Sequence, residues 1–204
     1  MGTNQHLMNR TWARQTFSDL IEAPVTGVLA RLGVSPNAIT LAGLPAAGAG
    51  AYLISTSQLW PAGVVVLAAG LFDLMDGALA RATRTVTRFG GLLDSVTDRV
   101  TEAVVLLGLL VLFVHRASME GAVLVFVTLA SSLVVSYVRA RAEGLGVDCK
   151  VGVMTRPERV LALAAGLLMG QVFVALVVIA AFSFLTALHR FWHVLRSIDA
   201  DRRA

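Results

Sequence analysis

The chain has 204 residues, 56% of them hydrophobic, a mean hydropathy of +0.75 and a net charge of +4. Such an apolar composition excludes an ordinary water-soluble domain and points to an integral membrane protein. The basic residues are clustered, which in a membrane protein speaks first of topology and not of nucleic acid, and the single cysteine, Cys149, excludes an intrachain disulfide.

The opening stretch MGTNQHLMNRTWARQ lacks the charged-then-apolar layout and small-residue cleavage site of a signal peptide, so insertion is expected from internal spans. In 11–32, Trp12, Phe17, Leu20, Ile21, Val28 and Leu32 recur at helical spacing. Arg14, Asp19 and Glu22 interrupt them and Pro24 bends the segment, which suits an amphipathic helix lying at the interface.

Apolar runs follow at 38–56, 61–80, 92–114, 120–138 and 160–188. The last exceeds the roughly 20 residues that cross a hydrocarbon core. Met169-Gly170-Gln171 offers a tight turn within it, which predicts two short spans over 157–170 and 172–192; the alternative is one long tilted helix.

With a cytoplasmic N-terminus, six spans place Arg10, Arg14, Arg31, Arg81, Arg84, Arg88, Arg139, Arg141, Lys150, Arg156, Arg159 and the basic tail inside. Only Arg116 falls outside, as the positive-inside rule requires. The expectation is therefore one all-α membrane domain over 1–204, with the interfacial helix at 11–32 and a six-helix bundle at 37–195, in the cytoplasmic membrane.

Four acids interrupt this apolar chain in the stretch DLMDGALARATRTVTRFGGLLDSVTD: Asp73, Asp76, Asp94 and Asp98. Acids in apolar segments are costly and mark function by default. The i, i+3 spacing of Asp73 and Asp76 puts both on one helix face, and the i, i+4 spacing of Asp94 and Asp98 does the same. A short connection over 82–89 lets all four converge at the cytoplasmic boundary. One such acid is as readily a helix cap or an ion-pair partner of Arg81, Arg84, Arg88 or Arg99; four at these spacings are not. Carboxylates so close repel unless cations sit among them, and hard oxygen ligands favour Mg²⁺, with Mn²⁺ as alternative. Two such ions about 4 Å apart suit displacement at phosphorus. Gly77 leaves backbone open for a substrate, Arg81 lies four residues on and can pair with a phosphate, and Thr87 can donate a hydroxyl.

The stretch reads D-x-x-D-G-x-x-A-R, eight residues, then G-x-x-x-D-x-x-x-D, and every fixed position resembles the signature of the CDP-alcohol phosphotransferase family. The resemblance implies transfer of a phosphatidyl-type group from a CDP-linked lipid to an alcohol, with release of CMP. It implies six transmembrane helices around a polar cavity open to the cytoplasm, preceded by an interfacial helix, and often a homodimer. Carried over, Asp73, Asp76, Asp94 and Asp98 would ligate two Mg²⁺ ions, and Asp98 would also be the general base. Gly77, Arg81 and Thr87 would contact the CDP moiety. Ser35, Pro36, Asn37 and Ala38, followed by Ile39 and Thr40, are similar to the family's nucleotide-lining motif, although Ser-Pro-Asn is equally a good helix start.

A second basic region, SYVRARAEGLGVDCKVGVMTRPER over 136–159, bears on the acceptor. Arg139, Arg141 and Arg156 beside a metal site suggest an anionic acceptor. The runs SYVRARAE and RPER resemble the inositol-phosphate-using branch of the family, including its archaeal-lipid members, with Arg139 standing where lysine is common. The expected acceptor is inositol phosphate; glycerol phosphate is the alternative. A divalent-cation transporter is the non-enzymatic competitor, disfavoured because its acids belong near the membrane midplane on several spans.

Overall fold

The computed structural model describes residues 23–83 and 85–201, and these form helices joined by loops, the longest over 145–155. In chain order they are α1 (Ala23–Arg31), α2 (Pro36–Ser55), α3 (Leu59–Ala82), α4 (Arg88–His115), α5 (Met119–Gly144), α6 (Arg156–Leu168) and α7 (Val172–Asp201). Of the expected interfacial helix, 11–22 lies outside the described residues. Its end, α1, is helical and turns Val28 outward, with the neighbouring Leu32 also exposed and Thr26 buried.

The expected runs each coincide with a helix, and the apolar stretch 160–188 is two helices. Gly170 makes the break: it adopts φ +69°, the left-handed conformation that glycine takes at helix ends. The Gly170 and Gln171 amides then donate to the Leu167 and Gly166 carbonyls at 3.2 and 2.8 Å. Other helix starts are set by side chains. The Ser118 hydroxyl accepts the Gly121 amide at 3.2 Å at the start of α5. The Glu158 carboxylate accepts the Thr155 amide at 3.0 Å and closes the first turn of α6.

The protein is an integral membrane protein: α2, α3, α5 and α7 are long and apolar enough to cross a bilayer. The two other expected spans fall short of that for separate reasons. α4 carries Arg88, Asp94, Asp98, Arg99 and Glu102 in its first half. α6 has 13 residues, about 20 Å of helix, against a hydrocarbon core of about 30 Å.

The described chain forms two compact units, the first ending at Gly43 and resuming over Leu71–Thr97, the second comprising Leu44–Gly70 and everything from Asp98. The second holds the apolar core, in which Ile54, Leu109, Leu112, Leu167 and Leu176 are fully buried. Phe113 meets Phe173 edge-on, with ring centroids 6.4 Å apart. Small residues let helices close up here, as is usual in membrane bundles. A Cβ on Gly108 would lie 2.6 Å from the Ala51 backbone, and one on Gly166 would lie 2.3 Å from the Ala175 Cβ.

Gly166→Leu is therefore expected to force α6 from α7 and cost about 1–3 kcal/mol. The thermal unfolding midpoint of the detergent-solubilised protein should fall measurably. Gly48→Ala, at a position with nothing within 4 Å, should leave it unchanged or raise it.

Candidate active site

The last turns of α3 carry Asp73 and Asp76, and the second turn of α4 carries Asp94. One carboxylate oxygen from each lies within 4.8 Å of the others. Like charges at that distance repel by about 3 kcal/mol per pair at an effective dielectric of about 20. A hard divalent cation removes this repulsion, and three carboxylates are the donor set that Mg²⁺ or Mn²⁺ prefers. The residues thus fit a metal.

Asp76 is buried, and the Thr40 hydroxyl donates to its Oδ2 at 2.6 Å. The Pro36 carbonyl, 3.2 Å from the same hydroxyl, is the competing acceptor. That bond helps to hold the Asp76 carboxylate in one orientation. Thr40 closes the Ser35–Thr40 run that the sequence singled out, and its hydroxyl orients the Asp76 carboxylate. Only the tertiary fold makes that visible, because the partners stand 36 residues apart.

The residues expected to meet the nucleotide divide into two kinds. Ser35 accepts the Ala38 amide at 3.2 Å and starts α2, with Pro36 as its first residue; both Ser35 and Ala38 are exposed. Thr87 does the same for α4, accepting the Gly90 amide at 2.9 Å. The two helix starts lie together. A Cβ on Gly90 would be 3.1 Å from Thr87 Oγ1 and 3.2 Å from Asn37 Oδ1. Two helix N-termini side by side present two positive dipole ends, which favour an anion such as a diphosphate. On α3, a Cβ at Gly77 would sit 3.2 Å from Arg81 Nη1, so the guanidinium folds back over the glycine directly after Asp76.

Asp98, Arg139, Arg141 and Arg156 belong to the second unit. Asp98 Oδ1 pairs with Arg156 Nη1 at 2.8 Å, and its Oδ2 lies 3.8 Å from Arg99 Nη1. Arg156 Nη2 also reaches the Thr101 hydroxyl at 3.3 Å. Arg139 pairs with Glu143 one turn along α5 at 2.9 Å, and Arg141 is exposed. The structure therefore engages Arg139 and Arg156 with carboxylates on different elements. One pair was not assigned from sequence. Arg159 is buried and holds Glu102 through two hydrogen bonds of 2.7 and 2.9 Å. The available signal was spacing: Glu102 lies four residues beyond Asp98, and Arg159 three beyond Arg156.

A model of the CDP-alcohol phosphatidyltransferase family matches residues 33–188. The archaetidylinositol phosphate synthase of Methanothermobacter thermautotrophicus is 32% identical over 197 residues, spanning 94% of this chain and 95% of that one. The crystal structure of the Mycobacterium tuberculosis phosphatidylinositol phosphate synthase with CDP-DAG bound is similar with a TM-score of 0.77 and 32% identity, covering 85% of this chain and 93% of that one. The same enzyme in complex with manganese and citrate gives a TM-score of 0.77 and 31% identity, covering 86% and 89%.

Replacing Thr40 with Val should lower Mn²⁺ affinity by about 10–100-fold, the usual effect of losing a group that orients a ligand. Titration of the purified protein followed by the Mn²⁺ paramagnetic resonance signal measures this. Thr40→Ser, which keeps the hydroxyl, should bind as the parent does.

Proposed function

This chain belongs to the CDP-alcohol phosphatidyltransferase family, and we propose that it moves a phosphatidyl-type group from a CDP-linked lipid to a hydroxyl of inositol phosphate, releasing CMP. The observation that carries the reading is the gathering of Asp73, Asp76 and Asp94 within 4.8 Å, tied through Thr40 to the start of α2. This joins a cation site to an anion site, which is what a metal-dependent displacement on a pyrophosphate needs. The acceptor is argued from Arg139, Arg141 and Arg156, because a neutral alcohol needs no such charge. Relatives that carry the inositol phosphate name in both the phosphatidyl and archaetidyl forms support that choice.

In this reading Asp73, Asp76, Asp94 and Asp98 hold two Mg²⁺ ions, with Mn²⁺ as substitute. Bound there, the ions neutralise the pyrophosphate and the charge that develops on the departing CMP. The chain's own residues do the rest. Asn37, Thr87 and the amides of the two helix starts receive the nucleotide, with Ser35 and Pro36 fixing the first of those starts. Arg81 takes a phosphate oxygen over the open backbone of Gly77. Arg139, Arg141 and Arg156 grip the acceptor phosphate and orient the attacking hydroxyl. Asp98 accepts the proton of that hydroxyl. The oxygen attacks the phosphorus bonded to the lipid alcohol, the phosphoanhydride bond to CMP breaks, and the configuration at phosphorus inverts. The 2.8 Å contact of Arg156 with Asp98 supports this assignment, since it sets the acceptor's phosphate anchor beside the base that its hydroxyl must meet.

The same reading completes six spans with α4 and α6 and turns a polar cavity to the cytoplasm. The hydrophilic half of α4 then faces the cavity and not the lipid. The apolar remainder after Glu102 reaches the opposite side in a locally thinned bilayer.

CMP release by the purified protein with Mg²⁺ and CDP-diacylglycerol tests the proposal, with inositol phosphate, inositol and glycerol phosphate offered in parallel and an archaeal ether donor as a second series. Release is expected with inositol phosphate alone. Asp98→Asn should reduce it by about 10²–10⁴-fold, the range for losing a general base. Release with glycerol phosphate instead would keep the metal chemistry and overturn the acceptor assignment. Release with none of the three acceptors from either donor would overturn the transfer itself.

A further inference from the structure

The two arginines that open α6 are engaged in different ways. Arg156 retains solvent contact and meets Asp98 at 2.8 Å and Thr101 at 3.3 Å, a site that a substrate can reach. Arg159, one turn on, has a side chain only 4% exposed. Its Nε and Nη2 donate to the two oxygens of Glu102 at 2.7 and 2.9 Å, while Nη1 lies 3.5 Å from the Met154 carbonyl. Glu102 in turn stands one turn beyond Asp98 on α4. Two rungs therefore join the same pair of helices, one open and one sealed.

We infer that Glu102 and Arg159 are positioning residues of the transfer reaction, whose paired side chains set the register of α6 on α4 and so the meeting of Arg156 with Asp98. The inference rests on the reading that Arg156 holds the acceptor phosphate and Asp98 takes the acceptor's proton. Arg159 has no role of its own at the phosphate, because Glu102 occupies its fork.

Three observations carry the argument. First, a two-point Arg–carboxylate contact fixes direction as well as distance, which a single-point contact does not. Second, a buried ion pair adds little net stability over an apolar pair of similar size, so cohesion alone gives these helices no need for one. Third, the main chain entering α6 is already secured from α7. Arg190 donates to the Val151 and Val135 carbonyls at 2.8 and 2.9 Å, and the Thr186 hydroxyl accepts the Met154 amide at 3.1 Å. Those contacts hold the segment before α6, and the apolar face of α6 packs in the core; neither bears on its first turn against α4. The Glu102–Arg159 pair supplies that contact, and a displacement of about 1 Å at a reacting centre is enough to cost about 10²-fold in rate.

The test separates position from stability in the full-length protein in detergent with Mg²⁺. CMP release gives kcat/KM for inositol phosphate and KM for CDP-diacylglycerol; thermal unfolding gives the midpoint. The neutral double variant Glu102→Gln/Arg159→Met leaves no orphaned charge, so its midpoint should stay near that of the parent. Its kcat/KM for inositol phosphate should still fall at least tenfold, with KM for the lipid donor unchanged. Arg159→Lys, which keeps the charge but loses the fork, should show the same selective loss and serves if the double variant does not fold. Parental kcat/KM in either variant would overturn the inference. Arg156→Gln distinguishes that failure from failure of the reading beneath it. If it raises the acceptor KM while the Glu102 and Arg159 variants behave as the parent, positioning alone is wrong. If it leaves the acceptor KM unchanged, the acceptor assignment and the inference fall together.

Discussion

The site depends on mutual repulsion. Asp73, Asp76 and Asp94 bring three carboxylates within 4.8 Å of one another, and like charges that close disfavour ionisation unless positive charge offsets them. Every neighbouring feature answers the same problem. Thr40 spends its hydroxyl proton on Asp76, the most buried of the three. α2 and α4 bring their positive ends together where Asn37 and Thr87 approach Gly90. Helix termini supply partial positive charge without side chains that a hydrophobic environment would penalise. A divalent cation held among the three carboxylates would complete that balance.

The membrane sets the second constraint. A helix that crosses lipid has to be apolar along its length, and a helix that feeds a polar site cannot be. α4 divides the two demands along its axis: its aspartate, glutamate and arginine residues end at Glu102 and its core contacts, Val105, Leu106, Leu109 and Leu112, come after. α3 does the same in reverse, apolar first and acidic last. The site is therefore placed where two helices exchange character, and the price is a helix that length and composition alone do not mark as a span.

The aspartates, the helix order and the break at Gly170 were legible in the sequence because each rests on local rules: spacing on a helix face, hydropathy over a window, and the need for glycine at a positive φ. Less legible was the difference between a residue that binds and one that starts a helix. Ser35 and Thr87 satisfy their own helices' amides, a role that a motif match does not separate from substrate contact. Thr40 and the Glu102–Arg159 pair were not legible, since the partners lie 36 and 57 residues apart and nothing local records which of several acids meets which arginine. Glu158 shows the same limit from the other side: surrounded by arginines in sequence, it serves its own helix instead.

The arginines finally divide by how much water they keep. Arg139 and Glu143 form a half-exposed pair on one helix, and Arg156 with Asp98 is partly open; both are contacts that a phosphate can enter by displacing another anion, the carboxylate. Arg159 and Arg190 are buried and directed at the protein itself, one at a carboxylate and one at backbone carbonyls of Val135 and Val151. A substrate-binding arginine has to exchange partners in every turnover, and that exchange is productive only if its helix does not move with it. Sealed arginines, whose partners never leave, provide that fixed frame. Charge in the second unit is thus graded from exchangeable at the surface to permanent within, and Arg156 and Arg159 show both kinds within a single turn of α6.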